Sequence, residues 1–136
     1  MNYYPLLYRQ QQVILKSFAV ESCTIYNQKK LECLGKIRPT DQSIEYTYKV
    51  IYTPPSVPKV YILNPEIEYN SKIHLYADKR LCLYYPIEQP WKHTNNISTT
   101  IVPWILEWLI CYECFSITGI WPGKSVPHGE IKKEND

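Results

Sequence analysis

Between residues 30 and 63 apolar side chains alternate with polar ones in stretches separated by proline-bearing connectors, and this pattern narrows the fold more than any other part of the chain. In Lys30 to Arg38, the residues Leu31, Cys33, Gly35 and Ile37 share one side; in Glu45 to Thr53, Tyr46, Tyr48, Val50 and Tyr52 do so. Lys59 to Leu63 is a short apolar run bounded by prolines. A period of two puts alternate residues on one face of a strand. Pro39-Thr40-Asp41-Gln42-Ser43 and Pro54-Pro55-Ser56-Val57-Pro58 carry the residues of turns between antiparallel strands. A three-stranded antiparallel meander follows, with Cys23 to Tyr26 as an extended segment that would make it four.

Helical spacing flanks the meander. Pro5 suits the first turn of a helix, where its missing N–H costs nothing. Leu6, Leu7, Val13, Ile14 and Phe18 then recur at helical intervals, with Arg9 to Gln12 opposite, so a helix is predicted over 5–18. From Ile101 onward Trp104, Ile105, Trp108, Leu109, Tyr112 and Phe115 repeat in the same way, and Gly119 is the stop signal. This aromatic stripe reads as core packing, whereas Trp91 and Trp121, in less regular stretches, read as contacts for a partner protein. Residues 64–100 lack a regular pattern, and an irregular segment this long in a compact domain is usually functional. The expected architecture is a single α+β domain over 1–121 with an antiparallel sheet, followed by a polar, mobile tail over 122–136.

Composition excludes several classes. The 136 residues carry a net charge of +2 with the basic residues scattered, unlike the basic stripe of a nucleic-acid binder. Five cysteines are an odd count, and Met1 to Phe18 lacks the apolar run and cleavage site of a secretory signal. A reduced, cytoplasmic compartment is therefore expected, which makes the Asn96-Ile97-Ser98 sequon incidental. Glu107, Glu113 and Gly119 interrupt the apolar stretch from Ile101 to Trp121, so it reads as a buried helix rather than a membrane span.

Candidate chemistry centres on Ile73 to Pro86. Cys82 lies between Leu81 and Leu83, after the turn Asp78-Lys79-Arg80 and eight residues beyond His74. A thiol reacts as a thiolate that substrate can reach, and Lys79 or Arg80 would favour that form. The other reading is an apolar strand holding an inert cysteine. Cys111 and Cys114 have Cys-x-x-Cys spacing, but zinc needs four ligands and no second pair lies nearby; no metal or cofactor is expected. Cys23 and Cys33 read as small apolar strand residues. His93 and His128 stand in polar loops as solvated groups, although His93 follows the cysteine where it could meet an incoming amine.

Helix, meander, proline-rich segment, histidine, short turn, Leu-Cys-Leu and helix together resemble the ubiquitin-conjugating (UBC-like) fold. In that family a histidine-headed flap leads to the catalytic cysteine, and His74 and Leu81-Cys82-Leu83 stand at those positions. More closely, the chain resembles the stand-alone conjugating proteins of bacterial anti-phage operons of the short type II CBASS kind. The matching pieces are Tyr52-Thr53-Pro54-Pro55, Val57-Pro58-Lys59-Val60-Tyr61, His74-Leu75-Tyr76-Ala77-Asp78, Leu81-Cys82-Leu83-Tyr84-Tyr85-Pro86, Ile101-Val102-Pro103-Trp104, Glu107-Trp108-Leu109, Tyr112-Glu113 and Thr118-Gly119-Ile120-Trp121. Eukaryotic members carry His-Pro-Asn, and here His74, Leu75 and Tyr76 stand in its place. The asparagine's chemistry does not carry over; Tyr76 offers a hydroxyl donor or a packed ring instead.

The resemblance implies that Cys82 holds an acyl group as a thioester, which a lysine amine or water then attacks. It further implies a partner: a cGAS/DncV-like nucleotidyltransferase, a cyclic-oligonucleotide synthase, supplying the C-terminal glycine of its tail. His74 then braces the flap or acts as a base. The sequence holds no Gly-rich phosphate loop, so activation of the carboxyl needs another source. Two other readings stand beside this one. The first is a catalytically silent scaffold of the same fold. The second is a cysteine hydrolase in which Asp78 orients His74 against Cys82.

Overall fold

The computed structural model describes residues 2–17, 20–83 and 91–122. Helix α1 (Tyr4–Ile14) precedes strands β1 (Val20–Tyr26), β2 (Lys30–Ile37), β3 (Tyr46–Tyr52) and β4 (Lys59–Asn64), and helix α2 (Ile101–Thr118) follows. The strands form one antiparallel sheet in the order β1-β2-β3-β4. The architecture is α+β and UBC-like, with the meander complete at four strands. The expected segment Cys23 to Tyr26 is the C-terminal part of β1.

Register follows from the sequence period. Leu31 pairs with Tyr52, Cys33 with Val50, Gly35 with Tyr48 and Ile37 with Tyr46. Each pair unites two buried positions, because a slip by one residue would turn both strands' apolar sets toward water. The β1–β2 connection uses Asn27 and Gln28 with φ of 53° and 58°, and Lys29 N–H donates to the Tyr26 carbonyl at 3.0 Å. Positive φ at both central positions matches the right-handed twist of the flanking strands.

Helix α1 stops at Ile14, short of the expected residue 18. The Lys16 and Ser17 N–H groups donate to the carbonyls of Val13 and Ile14, three residues back, which tightens and closes the last turn. Its polar side also differs from expectation. Gln10 is fully buried: its Nε2 donates to the Asn95 carbonyl at 2.6 Å, and its Oε1 accepts from Ile97 N–H at 3.0 Å. Gln11 Nε2 donates to the Cys23 carbonyl at 2.9 Å. Periodicity sorts side chains by polarity and cannot anticipate that a buried loop backbone will need an amide as its partner.

The buried residues of α2 are Ile101, Val102, Ile105, Trp108, Leu109 and Cys111, all in its first eleven residues. In the C-terminal part half-buried Tyr112 and Phe115 pack against the core, and the Glu113 carboxylate accepts from Ser43 Oγ and from the Tyr46 hydroxyl, each at 2.8 Å. The expectation of a buried helix thus holds for the N-terminal part only; Ile110, Ile117 and Ile120 are exposed. By length and composition α2, at 18 residues and a mean hydropathy of 1.4, suffices to cross a membrane despite its charges. In this fold the face bearing Ile101, Ile105, Trp108 and Leu109 belongs to the core that also contains Tyr48, Tyr52 and Leu75.

Replacing Gln10 by Leu leaves the Asn95 carbonyl and Ile97 N–H buried without partners, an expected loss of roughly 2–4 kcal/mol in urea unfolding. Exposed Gln12→Ala serves as the comparison, within about 0.5 kcal/mol of wild type. Alkaline pH tests the aromatic sheet. Burial pushes the Tyr48 phenol up, and burial together with the bond to Glu113 does the same for Tyr46. Unfolded phenols ionise near ~10 while these stay protonated, so the native state binds more protons there and stability falls as pH rises beyond that value. Denaturation midpoints at increasing pH above neutrality should show a decline in that alkaline range, reduced in Tyr46→Phe.

Candidate active site

The flap begins at His74, whose φ is 51°. A non-glycine residue in this left-handed region costs energy that surrounding contacts must offset. The His74 carbonyl accepts from Cys82 N–H at 3.0 Å and from Trp108 Nε1–H at 3.1 Å. Its imidazole stacks on Trp121 with centroids 4.9 Å apart and planes 14° apart, while Trp121 also lies 5.4 Å from the Trp108 ring. Gly119, left-handed at φ 77°, ends α2 shortly before Trp121. Trp121 therefore packs on the flap and on α2.

Leu75 and Leu81 form an antiparallel bridge, and Tyr76 N–H donates to the Arg80 carbonyl at 2.9 Å. Lys79 N–H donates back to the Tyr76 carbonyl at 2.8 Å, with Lys79 at φ 71°. This is a three-residue hairpin loop whose last residue takes the conformation usually given to glycine. Asp78 Oδ1 accepts from Arg80 N–H at 3.0 Å, and its Oδ2 lies 3.5 Å from the Tyr61 hydroxyl. Leu81 N–H donates to the Val60 carbonyl at 2.9 Å, tying the flap to β4. Cys82 thus leaves a hairpin held at both ends.

Around the sulfur the effects compete. Cys82 is 6% exposed, and burial pushes its thiol above the ordinary range because a thiolate there loses hydration. The Tyr76 phenol, as a hydrogen-bonding group, and the Arg80 guanidinium, as a positive charge, both act in the opposite direction. Arg80 also lies over the Tyr76 ring, 4.1 Å from its centroid, an arrangement that holds cation and phenol together. Burial prevails in the resting state, so the sulfur is held as a thiol.

The structure brings Tyr76 and Cys82 together and connects His74 to Cys82 through the backbone. Of the two candidate cations, Arg80 acts on the sulfur, whereas Lys79 occupies the strained turn position. Arg80's role was only half legible, since sequence adjacency does not tell which cation stacks on Tyr76. The Asp78 carboxylate is engaged by Arg80 N–H and the Tyr61 hydroxyl, and the His74 ring packs on Trp121.

Other expected roles also change. Trp91 is 8% exposed, with its ring 5.5 Å from Tyr52 and its Nε1–H donating to the Tyr52 hydroxyl at 3.2 Å; it is a core residue, not a partner contact. Trp121 is half-buried and engaged with His74 and Trp108. His93 is exposed, its ring edge-on to Tyr3 at 5.9 Å and its carbonyl accepting from Arg9 at 2.8 Å. These contacts place it against the α1 end. Cys111 is buried and Cys114 half-buried. Among the described residues no cluster of three or more metal-ligating side chains occurs. His128, Tyr84, Tyr85 and the tail from 123 onward lie outside the described residues.

An N-terminal helix, a four-stranded antiparallel meander, a histidine-headed flap and a C-terminal helix define a ubiquitin-conjugating-like protein. A family model described as "Type II CBASS E2 protein" matches residues 10–129, and the chain belongs to that family. Membership gives it a ubiquitin-conjugating-like role in CBASS. A search of curated proteins found no match to the chain.

Thiol alkylation tests the electrostatics. Because burial holds the sulfur protonated, the iodoacetamide rate at Cys82 should climb with pH through and beyond the ordinary thiol range, about 8.5. Tyr76→Phe and Arg80→Met each remove an influence that favours thiolate. Both should slow alkylation several-fold at mildly alkaline pH and shift the profile upward. Profiles that superimpose on wild type would place Tyr76 and Arg80 outside the sulfur's environment.

Proposed function

We propose that Cys82 is the acyl-carrying nucleophile of this protein and forms a thioester with the C-terminal glycine of a cGAS/DncV-like cyclic-oligonucleotide synthase, priming anti-phage signalling in the cytoplasm. The observation that carries this reading is the flap itself, in which the His74 carbonyl fixes Cys82 N–H and Arg80 lies 4.1 Å over the Tyr76 ring, so that phenol and cation together oppose the effect of burial on the sulfur. An inert core cysteine has no use for either. The Cys82 thiolate attacks an activated acyl carbon, the leaving group departs, and a lysine amine or water later displaces the sulfur. The Tyr76 hydroxyl is available to donate to the oxyanion that forms in each step, in place of the family's asparagine. His74 is a positioning residue whose carbonyl fixes Cys82 N–H. With no Gly-rich phosphate loop in the sequence, the activation comes from another source, either a second protein that charges Cys82 or a different energy source used when the partner's terminus is captured.

A second reading, a scaffold of the same fold that binds without chemistry, is favoured by the burial of Cys82 and the upward push on its thiol. One experiment separates the two. Incubating the protein with a synthase whose C-terminal glycine is supplied activated, as a small-thiol thioester, should give a covalent adduct on non-reducing gels, with release of the small thiol, that hydroxylamine or thiol reductant cleaves. Cys82→Ala should abolish it, and Tyr76→Phe should reduce its formation rate about tenfold or more, the scale of losing an oxyanion donor. Absence of the adduct, with full phage protection in a Cys82→Ala strain, would establish the scaffold.

A further inference from the structure

Read along the chain, Cys23 and Cys33 are small apolar strand residues with nothing to connect them. The register of β1 with β2 makes them Cα partners, and their sulfurs lie 2.6 Å apart. That separation is about half an ångström longer than a disulfide bond, ~2.05 Å. Directly opposed residues in an antiparallel ladder have Cα atoms about 4.5–5.5 Å apart, inside the ~4.4–6.8 Å that a disulfide spans. Joining the two sulfurs therefore needs no rearrangement of either strand.

The two thiols are not equivalent. Cys33 is fully buried and Cys23 7% exposed. The hydrogen bond with Cys23, together with burial, holds the Cys33 thiol far above its ordinary range. Cys33 is thus poorly suited to begin a reaction as thiolate. Cys23 lines an open groove of about 450 Å³ together with Tyr4, Gln11, Thr24 and Asn27. Of the two residues Cys23 is the one that meets this groove, so it is the side from which a water-sized oxidant would approach the pair.

We propose that Cys23 and Cys33 are a redox-sensitive pair, converted to a cross-strand disulfide by hydrogen peroxide or a small hydroperoxide and restored by thiol reductants. The Cys23 sulfur attacks one peroxide oxygen and breaks the O–O bond; the departing hydroxide, or alkoxide from a hydroperoxide, takes the thiol proton and leaves as water or the alcohol. The resulting sulfenic acid meets the Cys33 sulfur, which forms the S–S bond and expels hydroxide, again leaving as water with the Cys33 proton. The two sulfurs lose two electrons and the peroxide gains them. The bond fastens the edge strand β1 to β2 and fixes the Cys23 carbonyl that Gln11 of α1 uses. This chemistry is independent of Cys82, whose sulfur is served by a phenol and a guanidinium rather than by a second thiol.

The test uses the folded full chain carrying Cys82→Ala, so that the proposed nucleophile does not compete. Brief treatment with hydrogen peroxide, alkylation in denaturant and peptide mapping should yield a Cys23–Cys33 linked species, about 2 Da lighter than the reduced form. Only Cys111 and Cys114 should label. Dithiothreitol should reverse the change, and the oxidised form should melt several degrees higher, since the bond restricts the unfolded chain. Cys23→Ala or Cys33→Ala should show neither the mass loss nor the rise in melting temperature. Labelling of both Cys23 and Cys33 after oxidation, or a link to another cysteine, overturns the proposal. If neither variant folds, the peptide map of the parent chain decides alone.

Discussion

The His74 carbonyl oxygen accepts from Cys82 N–H and from the Trp108 indole at once, and the arrangement of the flap depends on that oxygen. One donor belongs to the residue proposed as nucleophile and the other to the helix that closes the domain. Neither the left-handed backbone at His74 nor the direction in which Cys82 leaves the hairpin would persist without a partner on that oxygen. Trp121 then stacks on the imidazole. The histidine contributes to the site through its backbone and its ring face, both structural uses of a residue type more often invoked for acid–base chemistry.

Buried Gln10 and half-buried Glu113 do comparable work elsewhere. Gln10 satisfies the backbone of the segment leading into α2, and Glu113 satisfies hydroxyls from the β2–β3 loop and from β3. A buried amide or carboxylate without such partners would be costly, so each fixes one packing of its helix against the rest. Together they seat both helices on a sheet whose aromatic face alone would tolerate several orientations. Position of the helices and position of the flap are therefore linked through Trp108.

The cysteines show how far environment decides chemistry. Cys82 has a hydroxyl donor and a cation near its sulfur, opposed by burial; Cys33 has burial and a second sulfur. Cys111 sits in α2, where burial and the neighbouring Glu107 charge push its thiol up. Only the first of these surroundings holds groups that act toward a thiolate, and there too burial prevails. The same side chain thus supports a proposed acyl carrier, a redox partner and a packing residue within one small domain.

The alternation of Leu31, Cys33, Gly35 and Ile37 with that of Tyr46, Tyr48, Val50 and Tyr52 by itself determined the strands and their core faces, since on a half-buried surface a slip by one residue would turn those sets to water. The spacing of Ile105, Trp108 and Leu109 likewise determined a helix with a core face, and the order of elements around His74 and Cys82 made the family legible. Tertiary structure alone decided that Gln10 is interior, that Trp91 belongs to the core, that Arg80 rather than Lys79 serves the sulfur, and that Cys23 meets Cys33. Local pattern records which residues avoid water. Which polar atom finds which partner depends on residues brought together from distant parts of the chain, and periodicity carries no information about that pairing.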